Sequence, residues 1–318
     1  MGAIVGGFAS THALTFMEPS EWDEFRGRIA AAYERRYGIP PKPLPEVVDA
    51  IAAESDEANE ARYRRIRDAI SRLRSEIAAL APDVIVLVGD DQNENFPEGQ
   101  VLPQIAIFTG DDYELGGRAE GVRVSSSPGL ASAILRRAVE DGFDVAFVPS
   151  LIDGKLSSHA HYQIIQHVIG NTSAAIIPVF VNALHQPAPS PARCVSLGES
   201  IAKAVQAWPE DTRVAVIGSG GLSHFTSGYP WKDYTGGYAF GSISVDFDRR
   251  IVDQMGRGDL GSLRRLTSQD LLDHGNIEFR SWLTVLGTLP GGRIETVYEP
   301  FHRGLMGMAV GTWTGGAA

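Results

Sequence analysis

The sequence predicts an α/β fold: a mostly parallel central sheet with helices on both faces, plus an inserted N-terminal helical segment. Three observations indicate this fold. Short apolar runs alternate with helical patterns along most of the chain, which is typical of strands joined by crossover helices. The runs are apolar throughout, as expected for strands buried on both faces. A long stretch with helical periodicity, residues 18–80, separates the first run from the second.

The N-terminal part is predicted to contain one strand and three helices. Residues 3–9 form the first buried strand. Ser20 begins a helix as its cap, and Asp23 follows at the spacing that reaches back to free backbone amides. The apolar side chains of this helix share one stripe, which we expect to pack on the sheet: Trp22, Phe25, Ile29 and Tyr33. A second helix follows Pro45, and a third runs near residues 58–80.

Strands and helices alternate in the rest of the chain. Strands are predicted at residues 83–89, 105–109, 144–149, 174–181 and 213–218, and helices at residues 131–141, 158–170 and 198–208. From residue 244 to residue 286 the pattern is mainly helical. Pro178 lies within one predicted strand, which indicates a bulge or an edge position. Because there is no internal repeat or low-complexity linker, we expect residues 1–318 to form a single domain.

Composition and charge exclude several classes of protein. The net charge of −11 argues against a nucleic-acid partner, and the basic stretch at residues 62–67 is expected to be a solvated helix face. Cys194 is the only cysteine, so an intrachain disulfide and a cysteine-rich zinc site are both excluded. No apolar run reaches the roughly 20 residues that span a bilayer. Without the pattern of a signal peptide, the expected location is cytoplasmic.

Polar side chains suited to metal binding or proton transfer follow several of the predicted strands. Ligands of open α/β sheets bind beyond the carboxyl ends of the strands, so these side chains are expected to converge. The candidates are His12, Asp90, Asp91, Gln92, Glu94, Asp153, His159, His161, the stretch 219–224 with His224, and Glu278 in a polar gap of an apolar helix. Two histidines and one carboxylate with open positions are the pattern of non-haem iron(II) sites.

Each candidate also has a purely structural interpretation. His12 could cap a helix, Asp90 and Asp91 could cap a turn, and Glu278 could be a partnered buried ion. His159 and His161 stand at i and i+2, which do not share a helical face. Two other catalytic classes are disfavoured: Gly218-Ser219-Gly220-Gly221 lacks the third glycine of a dinucleotide loop, and no G-x-S-x-G elbow of a serine hydrolase occurs.

Taken together, the motifs resemble the class III extradiol ring-cleavage dioxygenases, the fold of the protocatechuate 4,5-dioxygenase catalytic subunit. The resemblance covers most of the chain outside residues 18–80, and order and spacing agree. The matching stretches are Ser10-Thr11-His12, residues 83–92, residues 159–170, Phe180-Val181-Asn182, residues 193–201, residues 218–224, and Ile277-Glu278 before Trp282.

The resemblance implies roles for individual residues. It makes His12 and Glu278 iron ligands, His224 the acid–base histidine and His159 a histidine beside the substrate; His161 is a further candidate for substrate contact. The family's second histidine ligand is expected after the 83–89 strand, where this sequence has Gln92.

Three interpretations of Gln92 follow from this departure. The amide oxygen could ligate iron(II), although it is a poorer donor than imidazole. Asp91, Asp90 or Glu94 could supply the ligand instead. Alternatively, iron binding is lost, and the protein is a non-catalytic or metal-free relative that acts as a binding or scaffold protein.

The activity that the resemblance implies is the insertion of O₂ into a catechol- or gallate-type ring beside its vicinal hydroxyls, with Fe(II) as cofactor. The expected partners are therefore a small aromatic diol and O₂, with no nucleic acid and no membrane, and the protein is expected to be a homo-oligomer. A metal-dependent hydrolase that uses a metal-bound water is a further alternative. The family's separate small helical subunit is absent from this chain, and the helices of residues 18–80 could take its place.

Overall fold

A large sheet forms the centre of the computed structural model, which describes residues 1–117, 121–289 and 291–314. The strands of the described residues are β1 (Ala3–Ser10), β2 (Val84–Gly89), β3 (Ile105–Phe108), β4 (Asp112–Leu115), β5 (Arg123–Ser125), β6 (Ala146–Val148), β7 (Lys155–Leu156), β8 (Ala175–Val181), β9 (Arg213–Ser219), β10 (Arg293–Phe301) and β11 (Met306–Thr314). Eight of them pair in the order β10-β11-β1-β9-β2-β8-β3-β6, and β5-β4-β7 form a small second sheet.

The helices of the described residues are α1 (Trp22–Tyr37), α2 (Pro45–Ala53), α3 (Asp56–Leu80), α4 (Pro128–Glu140), α5 (His159–Ile164), α6 (Pro191–Ala207), α7 (Val245–Gly256), α8 (Leu260–Arg265), α9 (Ser268–Asp273) and α10 (Phe279–Gly287). None of them is long and apolar enough to cross a bilayer.

The predicted fold class is confirmed. The four central strands β1, β9, β2 and β8 are parallel, whereas β11 and β3 run antiparallel to their neighbours β1 and β8. One apolar core on the first face joins these strands to α4, α6, α7 and α10, and a second core on the opposite face joins them to α3 and α5. Because both faces are covered, the central strands carry apolar side chains at nearly every position, which is the pattern that made them visible in the sequence.

Pro178 was expected at a bulge or an edge, but it lies neither in an edge strand nor at a bulge, since the register between β2 and β8 is continuous there. It stands in β8, which is an interior strand between β2 and β3, and pairs there with Leu87. The strand β3 pairs only with Val179 to Val181. The pairing with β3 therefore stops before it reaches Pro178. The backbone N–H that Pro178 lacks interrupts no hydrogen bond with β3.

The N-terminal segment forms α1, α2 and α3, as the periodicity predicts. Trp22 is fully buried and packs edge-on against Phe301 and Tyr63, so this part of α1 belongs to the core. The other end of α1 reaches the loop after β9: Tyr33 contacts the ring of Trp231, and the Tyr37 hydroxyl donates a 2.9 Å hydrogen bond to the carbonyl of Tyr229. The segment therefore packs on the sheet and also covers this loop.

Helices α6 and α10 approach each other so closely that their backbones touch. A Cβ atom at Gly198 would collide with the carbonyl oxygen of Thr284, and one at Gly287 would collide with that of Val195. Glycine is required at both positions because only a residue without a side chain leaves room for the facing main chain. Since Glu278 is the N-cap residue of α10, this contact helps to set its place.

Candidate metal and acid–base site

Three buried side chains that can each offer a metal ligand converge beyond the carboxyl ends of the central parallel strands. His12 follows β1, Asp90 follows β2, and Glu278 precedes α10. One potential ligand atom from each lies within 4.8 Å of the other two. Their side chains are almost inaccessible, with exposures of 3%, 2% and 3%. The sheet therefore gathers these groups as the positions after the strands predict.

Hydrogen bonding fixes the tautomer of His12. The hydroxyl of Ser219 donates to the carbonyl of Ala160, so its oxygen must accept the 3.1 Å hydrogen bond that joins it to Nδ1 of His12. The proton of His12 is therefore on Nδ1, and Nε2 keeps a free lone pair 3.9 Å from Oε2 of Glu278. Burial lowers the pKa of His12 to about 4, which keeps the ring neutral, as a metal-ligating imidazole must be.

Glu278 is the centre of the site. Its Oε2 accepts a 2.8 Å hydrogen bond from the backbone of Gly221, and its Oε1 lies 3.3 Å from Nε2 of His224. Burial alone would raise the pKa of Glu278, but His224 and His12 outweigh burial and lower it. Gly220 allows the approach, because a Cβ atom there would lie 2.8 Å from the Cβ of Glu278. The carboxylate is therefore ionised and fixed in position.

Gln92 points into the space between the two buried carboxylates. Its Nε2 donates a 3.1 Å hydrogen bond to Oε1 of Glu278 and a longer one, 3.4 Å, to Oδ2 of Asp90. The other oxygen of Asp90, Oδ1, is buried without a hydrogen-bond partner among the described residues. Burial and the nearby Glu278 charge raise the pKa of Asp90 well above its ordinary value. The amide thus links two acids that would otherwise repel each other.

Asp91, the alternative ligand suggested by the sequence, points elsewhere. Its carboxylate accepts hydrogen bonds from the backbone N–H groups of Glu94, Asn95 and Phe96 at 2.9–3.1 Å. This is the capping of a turn by an aspartate side chain, the structural interpretation that the sequence left open. The geometry therefore favours Asp90 over Asp91 beside His12 and Glu278.

Glu94 holds His159 at two points. Its carboxylate accepts a 3.0 Å hydrogen bond from the backbone N–H of His159 and lies 2.6 Å from Nδ1 of the ring. Burial disfavours the charged ring, but the hydrogen bond and charge of Glu94 outweigh burial and raise the pKa of His159 to about 9. The ring stands edge-on to that of His12, with centroids 4.7 Å apart. His159 therefore borders the site as an oriented imidazolium.

His224 presents one nitrogen to the site. Its Nδ1 lies 2.8 Å from the carbonyl of Leu222, which can only accept, so Nδ1 carries a proton. Its Nε2 faces Glu278. Burial again disfavours charging, but Glu278 raises the pKa of His224 to about 9. The exchangeable proton at the site is therefore the one on Nε2.

His161 lies behind the site, away from the other candidates. It is fully buried, its Nδ1 lies 2.8 Å from the Ser158 hydroxyl, and its Nε2 lies 3.2 Å from the carbonyl of Val179. Burial lowers its pKa to about 4. Because both ring nitrogens are engaged within the protein, the geometry speaks against the expected contact with a substrate.

The arrangement fits a divalent cation. His12 offers a free imidazole nitrogen, and Glu278 and Asp90 offer carboxylate oxygens. One of these, Oδ1 of Asp90, has no hydrogen-bond partner among the residues that the structure describes. Two carboxylates buried this close are costly without a compensating charge, and mixed nitrogen and oxygen donors suit the first-row divalent metals. Gln92 is the neighbour whose amide would have to yield a hydrogen bond to such an ion.

Sequence reasoning gave too little weight to Asp90, Glu94 and Ser219. Asp90 is the first residue after β2 and faces the site, whereas Asp91 caps the turn before Asn95. The pairing of Glu94 with His159 joins residues 65 apart, and the bond of Ser219 to His12 joins residues 207 apart. No local pattern reports such contacts.

Comparison with known proteins shows the family of this chain. The model of the family described as the catalytic LigB subunit of aromatic ring-opening dioxygenase matches residues 48–310. A Rhodococcus protein named 2,3-dihydroxyphenylpropionate/2,3-dihydroxicinnamic acid 1,2-dioxygenase is 24% identical over 316 residues, covering 85% of this chain and 92% of its own length.

Two shorter matches have related names. A Comamonas testosteroni protein with the same name as the Rhodococcus protein is 31% identical over 50% of this chain and 48% of its own length. A gallate dioxygenase of Pseudomonas putida is 26% identical over 40% of this chain and 35% of its own length. Since the family model spans well over half of the chain, the chain belongs to the family of the catalytic LigB subunit of aromatic ring-opening dioxygenase and is an aromatic ring-cleavage dioxygenase of the extradiol type.

Proposed function

We propose that this protein opens the ring of a small aromatic diol with O₂, using Fe(II) held by His12, Asp90 and Glu278. The observation that carries the proposal is the convergence of an imidazole nitrogen and two carboxylates within 4.8 Å, between two histidines. The ligand set has one histidine and two carboxylates, because Gln92 stands where the family resemblance implies the second histidine. When bound, the ferrous ion would bring diol and O₂ together and let electrons pass between them.

His224 is proposed to move the proton. Its Nδ1–H is held by the carbonyl of Leu222, so a neutral ring accepts a proton only at Nε2, the nitrogen that faces the site. A substrate hydroxyl beside Glu278 would give its proton to this atom, and the ring would later return it to the product. Glu278 raises the pKa of His224 to about 9, and a cation bound by Glu278 would offset this charge and return the pKa toward its reference value of about 6.5, where a histidine suits both directions.

His159 is proposed to bind an anionic or electron-rich oxygen of the substrate. Glu94 holds its Nδ1, so the ring can present its other nitrogen without turning. His12 and Glu278 are buried, so little water reaches this part of the site. Charge-assisted hydrogen bonds are stronger in such surroundings. His161 is not included in the proposal.

The substrate class is proposed from the relatives. Their printed names describe vicinal diols that also bear a carboxylate, on a side chain or on the ring. Catechol-type and gallate-type acids are therefore the first compounds to test. We place the ring opening beside the hydroxyl-bearing carbons, with both atoms of O₂ entering the product, so no external reductant is required.

The test is oxygen uptake after anaerobic loading with Fe(II), with iron content measured on the same sample. The panel contains 2,3-dihydroxyphenylpropionate, gallate, protocatechuate and unsubstituted catechol. Wild-type protein should retain about one iron per chain, consume one O₂ per diol and form a yellow ring-opened acid. His224→Gln should retain iron but lose most turnover.

Two results would overturn the proposal. Retained iron without oxygen uptake on any vicinal diol would remove the proposed reaction. Activity with zinc but not with iron, and without oxygen consumption, would favour metal-dependent hydrolysis instead.

A further inference from the structure

Another carboxylate, that of Asp248, is fully buried near the site but does not face it. It stands in the first turn of α7 and has no exposed surface. Its Oδ1 accepts hydrogen bonds from the backbone of Ser223 at 3.1 Å and from Nδ2 of Asn276 at 2.9 Å. Its Oδ2 accepts from the hydroxyls of Ser223 at 2.6 Å and of Tyr298 at 2.7 Å. Four neutral donors therefore hold one carboxylate in place.

The donors of Asp248 are neighbours of the proposed catalytic groups. Ser223 directly precedes His224, and Asn276 stands two residues before Glu278. Tyr298 belongs to β10, which is an edge strand of the large sheet. Asp248 thus ties the segment that carries His224 to the segment that carries Glu278, and both to the framework.

Other hydrogen bonds also join these two segments, including those from Oγ of Ser281 to the carbonyl of Ser219 at 2.6 Å and from Nε1 of Trp282 to the carbonyl of Gly220 at 3.0 Å. The backbone N–H of His224 donates to the carbonyl of Gly275 at 3.1 Å, and that of Gly221 donates to Oε2 of Glu278. On the side of His224, all of these bonds are made by main-chain atoms. Asp248 adds hydrogen bonds to the side chains of Ser223 and Asn276.

The Ser223 hydroxyl is used completely. It donates to Asp248 and accepts a 2.8 Å hydrogen bond from the backbone N–H of Ser244. The start of α7 therefore fixes the orientation of the Ser223 hydroxyl. His224 is the next residue in the chain, and its Nε2 lies 3.3 Å from Oε1 of Glu278.

We propose that Asp248 is a positioning residue that holds His224 and Glu278 at the separation needed for proton transfer. The inference rests on the proposed function of these two residues and adds to it an acid that touches neither substrate nor metal. Because Asp248 works through Ser223 and Asn276, its loss should misplace the His224 ring while the metal ligands stay where they are.

The test compares Asp248→Asn and Ser223→Ala with Ser200→Ala. Ser200 offers a matched control, since its hydroxyl donates a 2.7 Å hydrogen bond to the carboxylate of Asp141, far from the site. Both serine variants remove one hydroxyl-to-carboxylate bond, which is buried at Ser223 and partly buried at Ser200. We expect kcat to fall at least tenfold in Asp248→Asn and Ser223→Ala, with KM and the Kd for Zn²⁺ within threefold of wild type, because small misplacements of this kind are costly to catalysis. Ser200→Ala should keep its kcat.

Unchanged kcat in folded Asp248→Asn and Ser223→Ala would overturn the inference, and so would an equal fall in Ser200→Ala. A wild-type protein that opens no diol would instead overturn the proposed function. The positioning is then judged from the imidazole NMR signal of His224, assigned with His224→Gln. That signal should move or broaden in Asp248→Asn and Ser223→Ala but not in Ser200→Ala; an identical signal in all of them would overturn the inference.

Discussion

The regions around Asp90 and Asp248 each bury a carboxylate completely, yet they satisfy it in opposite ways. Asp248 accepts four hydrogen bonds from neutral donors and has no further capacity. Within the described part of the chain, Asp90 receives one long hydrogen bond from Gln92, has one oxygen without a partner and lies beside Glu278. A buried acid with every lone pair used is a structural element, whereas one left incomplete beside a second acid is suited to bind a cation. Burial alone would not have separated them.

The largest effect is expected from removing the charge of the incomplete acid. Asp90→Asn should weaken binding of Zn²⁺ and Fe²⁺ by about 1,000-fold, or about 4 kcal/mol, because a neutral amide oxygen replaces a charged ligand. Titration calorimetry measures this change, with Fe²⁺ handled anaerobically. Asp91→Asn is the matched control and should keep metal affinity while losing stability. Equal losses in the two variants would mean that the wrong aspartate has been assigned to the metal.

The next effect concerns the pH dependence of stability at the saturated acid. Burial raises the pKa of Asp248 to about 6, above the ordinary value of 3.8, even though its hydrogen bonds oppose this shift. Between these two values the folded state binds more protons than the unfolded state, so stability falls as pH rises from about 4 to about 6.

We expect this loss to be about 3 kcal/mol for wild type relative to Asp248→Asn, from about 1.4 kcal/mol for each pKa unit. Urea unfolding of both proteins at pH 4, 5, 6 and 7 measures the difference. Parallel stability curves would show that Asp248 ionises as easily in the fold as in water.

Metal should stabilise the fold only through the incomplete acid. Zn²⁺ at 100 times its Kd should raise the free energy of unfolding by about 2.7 kcal/mol in wild type. Asp248→Asn should show the same increment, and Asp90→Asn should show almost none at that metal concentration. Thermal unfolding with and without Zn²⁺ checks this. An increment lost in Asp248→Asn would show that the two regions are one functional unit.

The smallest effect is expected at Gln92, which lies between the acids. Gln92→His should tighten Zn²⁺ binding about tenfold, since imidazole is a better ligand than an amide for these metals and the present amide hydrogen bonds are given up in either case. Competition titration with a chromophoric chelator measures it. Weaker binding would contradict this interpretation and indicate that the amide oxygen of Gln92 already serves as a ligand.

Much of the fold could be predicted because the central strands are buried on both faces. Strands β1, β2, β8 and β9 are continuous apolar runs, and the residues after them were identified as candidates for that reason. The C-terminal hairpin of β10 and β11 was not predicted. Most of β10 is half-buried, so this strand lacks the apolar pattern of the central strands. The run of buried residues from Met306 to Val310 in β11 was available in the sequence and was overlooked.

The site could be predicted only as a list of residue types. His12, His224 and Glu278 converge as expected, and Gln92 lies among them. Asp90 and Asp91 differ in which carboxylate accepts hydrogen bonds from the backbone N–H groups of the following turn. The two carboxylates are close in space, so residue types alone do not distinguish them. Contacts such as Asp248 with Ser223 depend on the crossover between distant helices and strands, which no local pattern encodes.

The glycine contact between α6 and α10 has a consequence for how this site tolerates change. The main chains of α6 and α10 touch directly, and Glu278 stands at the start of α10. This backbone contact helps to set the position of Glu278 whichever apolar side chains fill the neighbouring core. Substitutions among the core side chains can therefore alter stability while Glu278 stays in place. Replacing either glycine by alanine would have the reverse effect, because the added methyl group would force α10 and Glu278 to move while the composition of the core hardly changes.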